Sequence, residues 1–250
     1  FMRYFIKFSF KGTKYNGWQI QPNAPTVQFE LNNALSTVLN ENIEVTGAGR
    51  TDSGVHALQM YAHFDSSELL DIQKIIFKLN SFLDNDIAVS ELFQVKDNSH
   101  ARFDALTRTY EYHITQRKDP FNDSLLYLKQ NLDVNEMNLA SSYLIGIKDF
   151  SSFSKSKTQT HTNMCNVLYA KWFFDQDILV FKIIANRFLR NMVRAIVGTM
   201  LDIGIGKISS DDIKKIISIK NRSASGYSVP AHALFLTHIE YPKNIFINDK

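Results

Sequence analysis

The chain has 250 residues, 44% hydrophobic and 21% charged, enough to bury one large core or two small ones and too apolar for a disordered segment. No apolar run approaches the roughly 20 residues that span a bilayer, and a single cysteine, Cys165, leaves no internal disulfide or thiolate metal framework. The net charge is only +3, but residues 1–149 hold 14 bases against 18 acids and residues 150–230 hold 12 against 5. A positive surface that attracts phosphate backbones is therefore expected in the second half, unless those side chains only coat a solvated helix face.

Phe1 ahead of Met2 reads as a leftover of expression, and no signal-peptide pattern follows it. A cytoplasmic protein with a buried, inert thiol is the expectation. Arg3 to Phe10 alternates, with Tyr4, Ile6, Phe8 and Phe10 on one face, and predicts a half-buried strand; Lys11 to Gly17 follows as a polar loop. A helix capped by Thr26 is predicted from Val27, Leu31, Ala34, Leu35 and Val38, then a short strand at 43–46. Val55 to Phe64 predicts a strand, Leu69 to Leu83 a helix, and Ile87 to Val95 and Thr109 to Thr115 two more strands.

The second half repeats this grammar. It reads as a helix near Met137 to Ile145, strands at Val167 to Phe174 and Ile178 to Ile184, a helix from about Arg187 to Ile203, a short helix from Asp211, and a last strand near Leu234 to Tyr241. The expected class is α+β: two similar α/β lobes with mainly antiparallel sheets, 1–105 and 106–250, consistent with duplication. They would pack side by side with an active-site cleft between them. The polar stretch Ser151 to His161 is expected to be a mobile loop.

Three of the ten glycines fall between Gly47 and Gly54, in the run Gly-Ala-Gly-Arg-Thr-Asp-Ser-Gly. Such density asks for backbone conformations that a Cβ resists. The turn would present Arg50 and Asp52 two positions apart, a guanidinium favouring the ionised carboxylate that a nucleophile needs. A surface ion pair closing a strand connection would look the same. On the helix predicted after Asn186, Arg187, Arg190 and Arg194 would form one basic stripe beside an apolar one, either snorkelling to solvent or meeting a carboxylate. Tyr110 and Tyr112 are either core or a stacking platform for an extruded base. His56, His63 and His113 lack a second ligand or a nucleophile and read as structural. No phosphate-binding loop, dinucleotide fingerprint or zinc-deaminase motif is present, so neither cofactor nor metal is expected. Asp52-Ser53-Gly54 has the triplet form of an aspartic protease, but no second copy supplies the facing carboxylate. A non-catalytic RNA-binding module remains as an alternative, and leaves the glycine-dense loop without a reason.

Gly47 to Ala57, GAGRTDSGVHA, resembles the signature around the catalytic aspartate of the TruA-type tRNA pseudouridine synthases. So do GTKYNGWQIQ at 12–21, TVQ at 26–28, ARFDA at 101–105, RTYEYHI at 108–114 and ANRFLRNMVRAIVGTM at 185–200, in the family's order. The resemblance implies a cofactor-free isomerase that converts uridine to pseudouridine at positions 38 to 40 of the tRNA anticodon stem-loop, working as a homodimer. It places the nucleophile on Asp52, the substrate-contacting tyrosine on Tyr110 and the arginine paired with the nucleophile on Arg194. Arg50 would help extrude the target nucleotide; Arg187 and Arg190, read from the basic stripe and not from the resemblance, would contact RNA. Ser53 stands where alanine is usual, Lys148 where histidine is frequent, Leu83-Asp84 lacks the usual proline, and Ala233 replaces a glycine in a way that would alter the cleft wall.

Overall fold

The computed structural model describes residues 1–155 and 161–247, and the chain divides into two compact units. The first spans Phe1–Leu106 together with the segment from Leu236 on; the second spans Thr107–Phe235. The class is the α+β expected, with largely antiparallel strands.

In the first unit β1 (Met2–Phe10) leads through α1 (Val27–Leu39) and β2 (Thr46–Gly47) to β3 (His56–Ser66). From there the chain passes through α2 (Ile72–Phe82) to β4 (Ile87–Val95). β1 lies between β3 and β4, antiparallel to both, and β2 pairs with β3. Val27, Leu31, Ala34 and Leu35 form the buried stripe that the helical spacing predicts for α1. β1 keeps the predicted alternation, with Arg3, Lys7 and Ser9 partly exposed, and departs from it at one residue. Tyr4, Ile6 and Phe8 face one side, and Phe5 is equally inaccessible, its ring packed against Tyr61, Tyr241 and Phe246. The second face of this central strand is covered at Phe5, which the alternation of its sequence does not show. Thr26 sits at the α1 N-cap, but its side chain makes no capping bond. The orphan amides of Val27 and Gln28 instead donate to the carbonyls of Gly17 and Trp18, at 3.3 and 3.0 Å, which ties the Gly12–Trp18 loop to the helix start.

The second unit runs β5 (Thr107–Thr115), β6 (Leu126–Tyr127), α3 (Val134–Ser142), β7 (Gly146–Asp149), β8 (Met164–Asp175), β9 (Ile178–Ala185), α4 (Met192–Gly204) and α5 (Asp212–Ile219). Its strand order is β5-β9-β8-β7; β8 and β9 form a hairpin, and the chain passes from β5 to β7 through α3. The short β6 aside, each unit runs from a strand through a helix to a run of antiparallel strands and then a helix. In each the first strand pairs antiparallel with the strand that ends the run, β1 with β3 and β5 with β9, so the repeated grammar is matched by the connectivity. α3 packs on β8 and α4, with Trp172 stacked on Phe181 at 4.8 Å in the core.

Three readings of the second half need correction. The helix expected from Arg187 begins at Met192, because Asn191 takes a left-handed conformation (φ 67°) just before it. Arg187 and Arg190 therefore lie on the connection after β9 and form no helical stripe with Arg194. The stretch expected to be mobile from Ser151 starts as a buried anchor. Ser152 and Phe153 are inaccessible, and Ser152 Oγ donates to the Ile216 carbonyl and accepts from Asn221 N. Residues 156–160 of that stretch lie outside the described residues. Finally, the last strand, β10 (Leu234–Glu240), extends the first unit beside β3 from Leu236 on, where the sequence reading left it with the second lobe. Ile239 N bonds Gln59 Oε1 at 2.7 Å, and the Tyr241 ring packs edge-on to Phe5 and Tyr61.

Candidate active site

Asp52 is half-buried on the Ala48–Val55 loop between β2 and β3. The loop is held by backbone contacts to a second loop, Gly12–Trp18. Trp18 N donates to Thr51 O at 3.3 Å, Gly54 N to Tyr15 O at 3.3 Å, and Val55 N closes the turn onto Asp52 O at 3.2 Å. Gly17 has φ 87°, and a Cβ there would run into the Thr51 carbonyl; Gly12 lies equally close to Val55 O. These two glycines let one loop lie flat against the other. His56 is buried and accepts Gly12 N on Nδ1 at 2.9 Å, a structural role of the kind its isolation in sequence suggests. Ser53 Oγ donates to Tyr15 O at 3.3 Å and adds one more tie. Arg50 is exposed on the same loop.

In the second unit, Tyr110 on β5 is half-buried and meets Phe188 edge-on at 5.1 Å. Phe188 belongs to the connection that carries Arg187 and Arg190. That connection is fixed at its start by Asn186, whose backbone and side chain both bond Asn166, and by Arg108 Nη1 donating to Asn186 O at 2.8 Å. Arg187 is half-buried near Cys165, whose thiol is pushed up to about 11 by burial against the opposing pull of that guanidinium. Arg190 is exposed, and its carbonyl accepts Lys155 N.

Arg194 is half-buried on α4, a helix otherwise inaccessible on nearly every side, and its Nε donates to the Val229 carbonyl at 2.7 Å. The neighbouring carbonyl, Pro230 O, accepts the hydroxyl of the fully buried Tyr112 at 2.9 Å. Burial raises the Tyr112 phenol well above its ordinary value, with the Tyr227 phenol adding to the effect and the Arg194 guanidinium opposing it. The structure thus groups Tyr110 with Phe188 and the basic connection, and Arg194 with Tyr112 and the 226–230 segment. Ala233 is inaccessible in the short turn that precedes β10, so its methyl is packed rather than exposed. From sequence, Gly17 and Trp18 received no role, although both lie in the run at 12–21, and Arg222, Ser228 and Val229 were missed. The last three carry no signal in the sequence.

Among the described residues no helix is long and apolar enough to cross a membrane. A family model described as tRNA pseudouridine synthase matches residues 7–104 and 140–242. The tRNA pseudouridine synthase A of Bacteroides fragilis is 51% identical over 247 residues, 98% of this chain and 98% of the relative. That of Parabacteroides distasonis is 48% identical with 98% of each chain covered. That of Francisella tularensis subsp. novicida is 37% identical, covering 97% of this chain and 95% of the relative.

Proposed function

The chain belongs to the tRNA pseudouridine synthase family, and on that premise we propose that it isomerises uridine to pseudouridine in the anticodon stem-loop of tRNA, at positions 38 to 40. The observation that carries the site assignment is the half-buried Asp52 on a loop pinned by Gly17, Trp18 and Tyr15. A preorganised carboxylate pays little entropy to meet the sugar of an extruded nucleotide.

The reaction breaks the N1–C1′ bond, turns the uracil, and joins C5 to C1′; the C5 proton leaves to solvent and N1 gains one. No redox change or group donor is needed. Asp52 attacks C1′ or takes the proton at C2′. Arg194, which the resemblance pairs with the nucleophile, supports its negative charge, and Arg50 helps hold the displaced nucleotide. Extruding a base costs a few kcal/mol. Stacking on Tyr110 and phosphate contacts from Arg187 and Arg190 offset that cost. The enzyme acts in the cytoplasm as a homodimer, a state that light scattering of the purified protein reads directly.

Tritium release from C5-labelled tRNA tests the assignment. Asp52→Asn keeps the shape and removes the charge, so release should fall to background while tRNA binding stays within a few-fold of wild type. Substantial release by the variant would remove Asp52 from its role; no release by the wild-type protein would leave an RNA-binding module.

A further inference from the structure

We propose that Arg222 is a positioning residue for this reaction: its guanidinium fastens the 225–230 strap, and the strap's Val229 carbonyl fixes the direction of Arg194. The inference rests on the catalytic reading of Arg194 given above.

The strap is bound at every step. Arg222 Nη1 donates to Ser225 Oγ at 2.8 Å and to Gly226 O at 3.0 Å, and Nη2 donates to Ser228 Oγ at 2.8 Å. Ser228 Oγ also accepts Asn191 Nδ2 at 2.7 Å, so one hydroxyl joins Arg222 to the residue that starts α4. Ser225 Oγ donates to Ser152 O at 2.6 Å, and Gly226 N to Thr199 Oγ1 at 2.8 Å. The strap crosses α4 where Gly198 has no side chain, so close that a Cβ there would meet the Tyr227 carbonyl. Beyond that crossing, Val229 N returns to Arg194 O at 3.3 Å and Val229 O takes Arg194 Nε at 2.7 Å.

With Nε committed to Val229 O, the plane of the Arg194 guanidinium is set by where that carbonyl stands. A shift of about 1 Å in a group that positions catalytic atoms can cost on the order of 100-fold in rate. Arg222 is half-buried, its acceptors are neutral oxygens, and burial lowers its pKa. A planar fork that satisfies three acceptors at once is a property of arginine that lysine lacks.

The experiment compares kcat and KM for tRNA in Arg222→Lys, Arg222→Ala, Arg194→Ala and the Arg194→Ala/Arg222→Lys double variant, by C5-tritium release, with melting curves to show that each folds. Arg222→Lys keeps the charge and loses the fork. Its kcat should fall about 10- to 100-fold with KM within about threefold, and the double variant should turn over no more slowly than Arg194→Ala. Full activity of Arg222→Lys, with only KM raised in Arg222→Ala and a smaller salt slope of binding, would make Arg222 a phosphate contact and overturn the proposal. So would losses that multiply in the double variant. If the Arg222 variants do not fold, Ser228→Ala removes the shared acceptor of Arg222 and Asn191 while leaving the other Arg222 bonds, and should lower kcat several-fold; unchanged kcat there also overturns it. Wild-type turnover in Arg194→Ala would instead defeat the active-site reading on which the proposal stands.

Discussion

The Asp52 loop and the Arg194 strap solve the same problem by opposite means. The first is fixed by backbone: amides of Trp18, Gly54 and Val55 on nearby carbonyls, made possible by Gly12 and Gly17, where a side chain would occupy the space the facing loop needs. The second is fixed by side chains: those of Arg222, Asn191 and Thr199 reach from separate elements, and that of Ser225 reaches the Ser152 carbonyl, to hold a segment whose own carbonyls then hold Arg194 and Tyr112. A backbone-fixed loop is stiff and breaks when a glycine is replaced. A side-chain-fixed strap is assembled from hydrogen bonds worth about 1 kcal/mol each, and charged ones worth somewhat more, so it weakens by degrees.

The largest effect that would break this comparison lies at Gly17. Gly17→Ala places a Cβ against the Thr51 carbonyl and on a left-handed backbone, so the loop beside Asp52 must move. Turnover should fall about 100-fold or more with tRNA affinity within a few-fold, read by tritium release and filter binding. Wild-type turnover would mean that the loop is not stiff at all.

Acid sharpens the contrast at a smaller scale. His63 is buried in the first unit and accepts Ala101 N on Nδ1, and its pKa is pushed down to about 4 by burial, with Arg3 and His100 adding to the effect and Asp65 and Asp104 opposing it. Above about pH 6.5 the ring is neutral folded or unfolded, so it contributes no pH dependence. Between about 6.5 and 4 the unfolded chain takes a proton the native ring refuses, and stability falls, by about 3 kcal/mol once pH drops below 4. Urea unfolding at pH 7 and pH 4.5 should show this loss. His63→Asn, which keeps an acceptor and does not titrate, should flatten the profile; an equal loss in the variant would place the acid sensitivity elsewhere.

What was legible in the sequence follows the same division. Backbone demands leave residue-type marks, so the glycines around Asp52 pointed to a tight loop, and the spacing of Val27, Leu31, Ala34 and Leu35 gave the buried stripe of α1. Contacts that arise only when distant segments meet leave none. Thr26 looks like a cap, but the Gly17 and Trp18 carbonyls already serve the helix start. Phe5 looks exposed by alternation until Tyr241 and Phe246 arrive from the far end of the chain to cover it. The helix drawn through Arg187 failed because every residue from Asn186 to Arg190 has an acceptable helical propensity. What breaks it is Asn191 at φ 67°, with its side chain committed to Ser228. Ser228 itself, between a tyrosine and a valine, carries no local mark of its use.

That misplaced helix changes what the basic residues of the second half can do. On a helix, Arg187 and Arg190 would share a face with Arg194; on the connection after β9 they hold different environments, Arg187 half-buried beside Cys165 and Arg190 exposed. If each neutralises one phosphate, Arg187→Ala and Arg190→Ala should each reduce the slope of log affinity against log salt by about 1. Their different exposure predicts a further distinction. Arg190→Ala should leave the melting temperature unchanged, whereas Arg187→Ala removes packing from the half-buried connection next to Tyr110 and Phe188, and should cost up to about 1 kcal/mol of stability. Binding titrations from 50 to 200 mM salt, paired with melting curves, separate the two. A slope unchanged in both variants would take them off the RNA surface, and a slope changed only for Arg190 would leave Arg187 as a support for the connection on which Phe188 meets Tyr110.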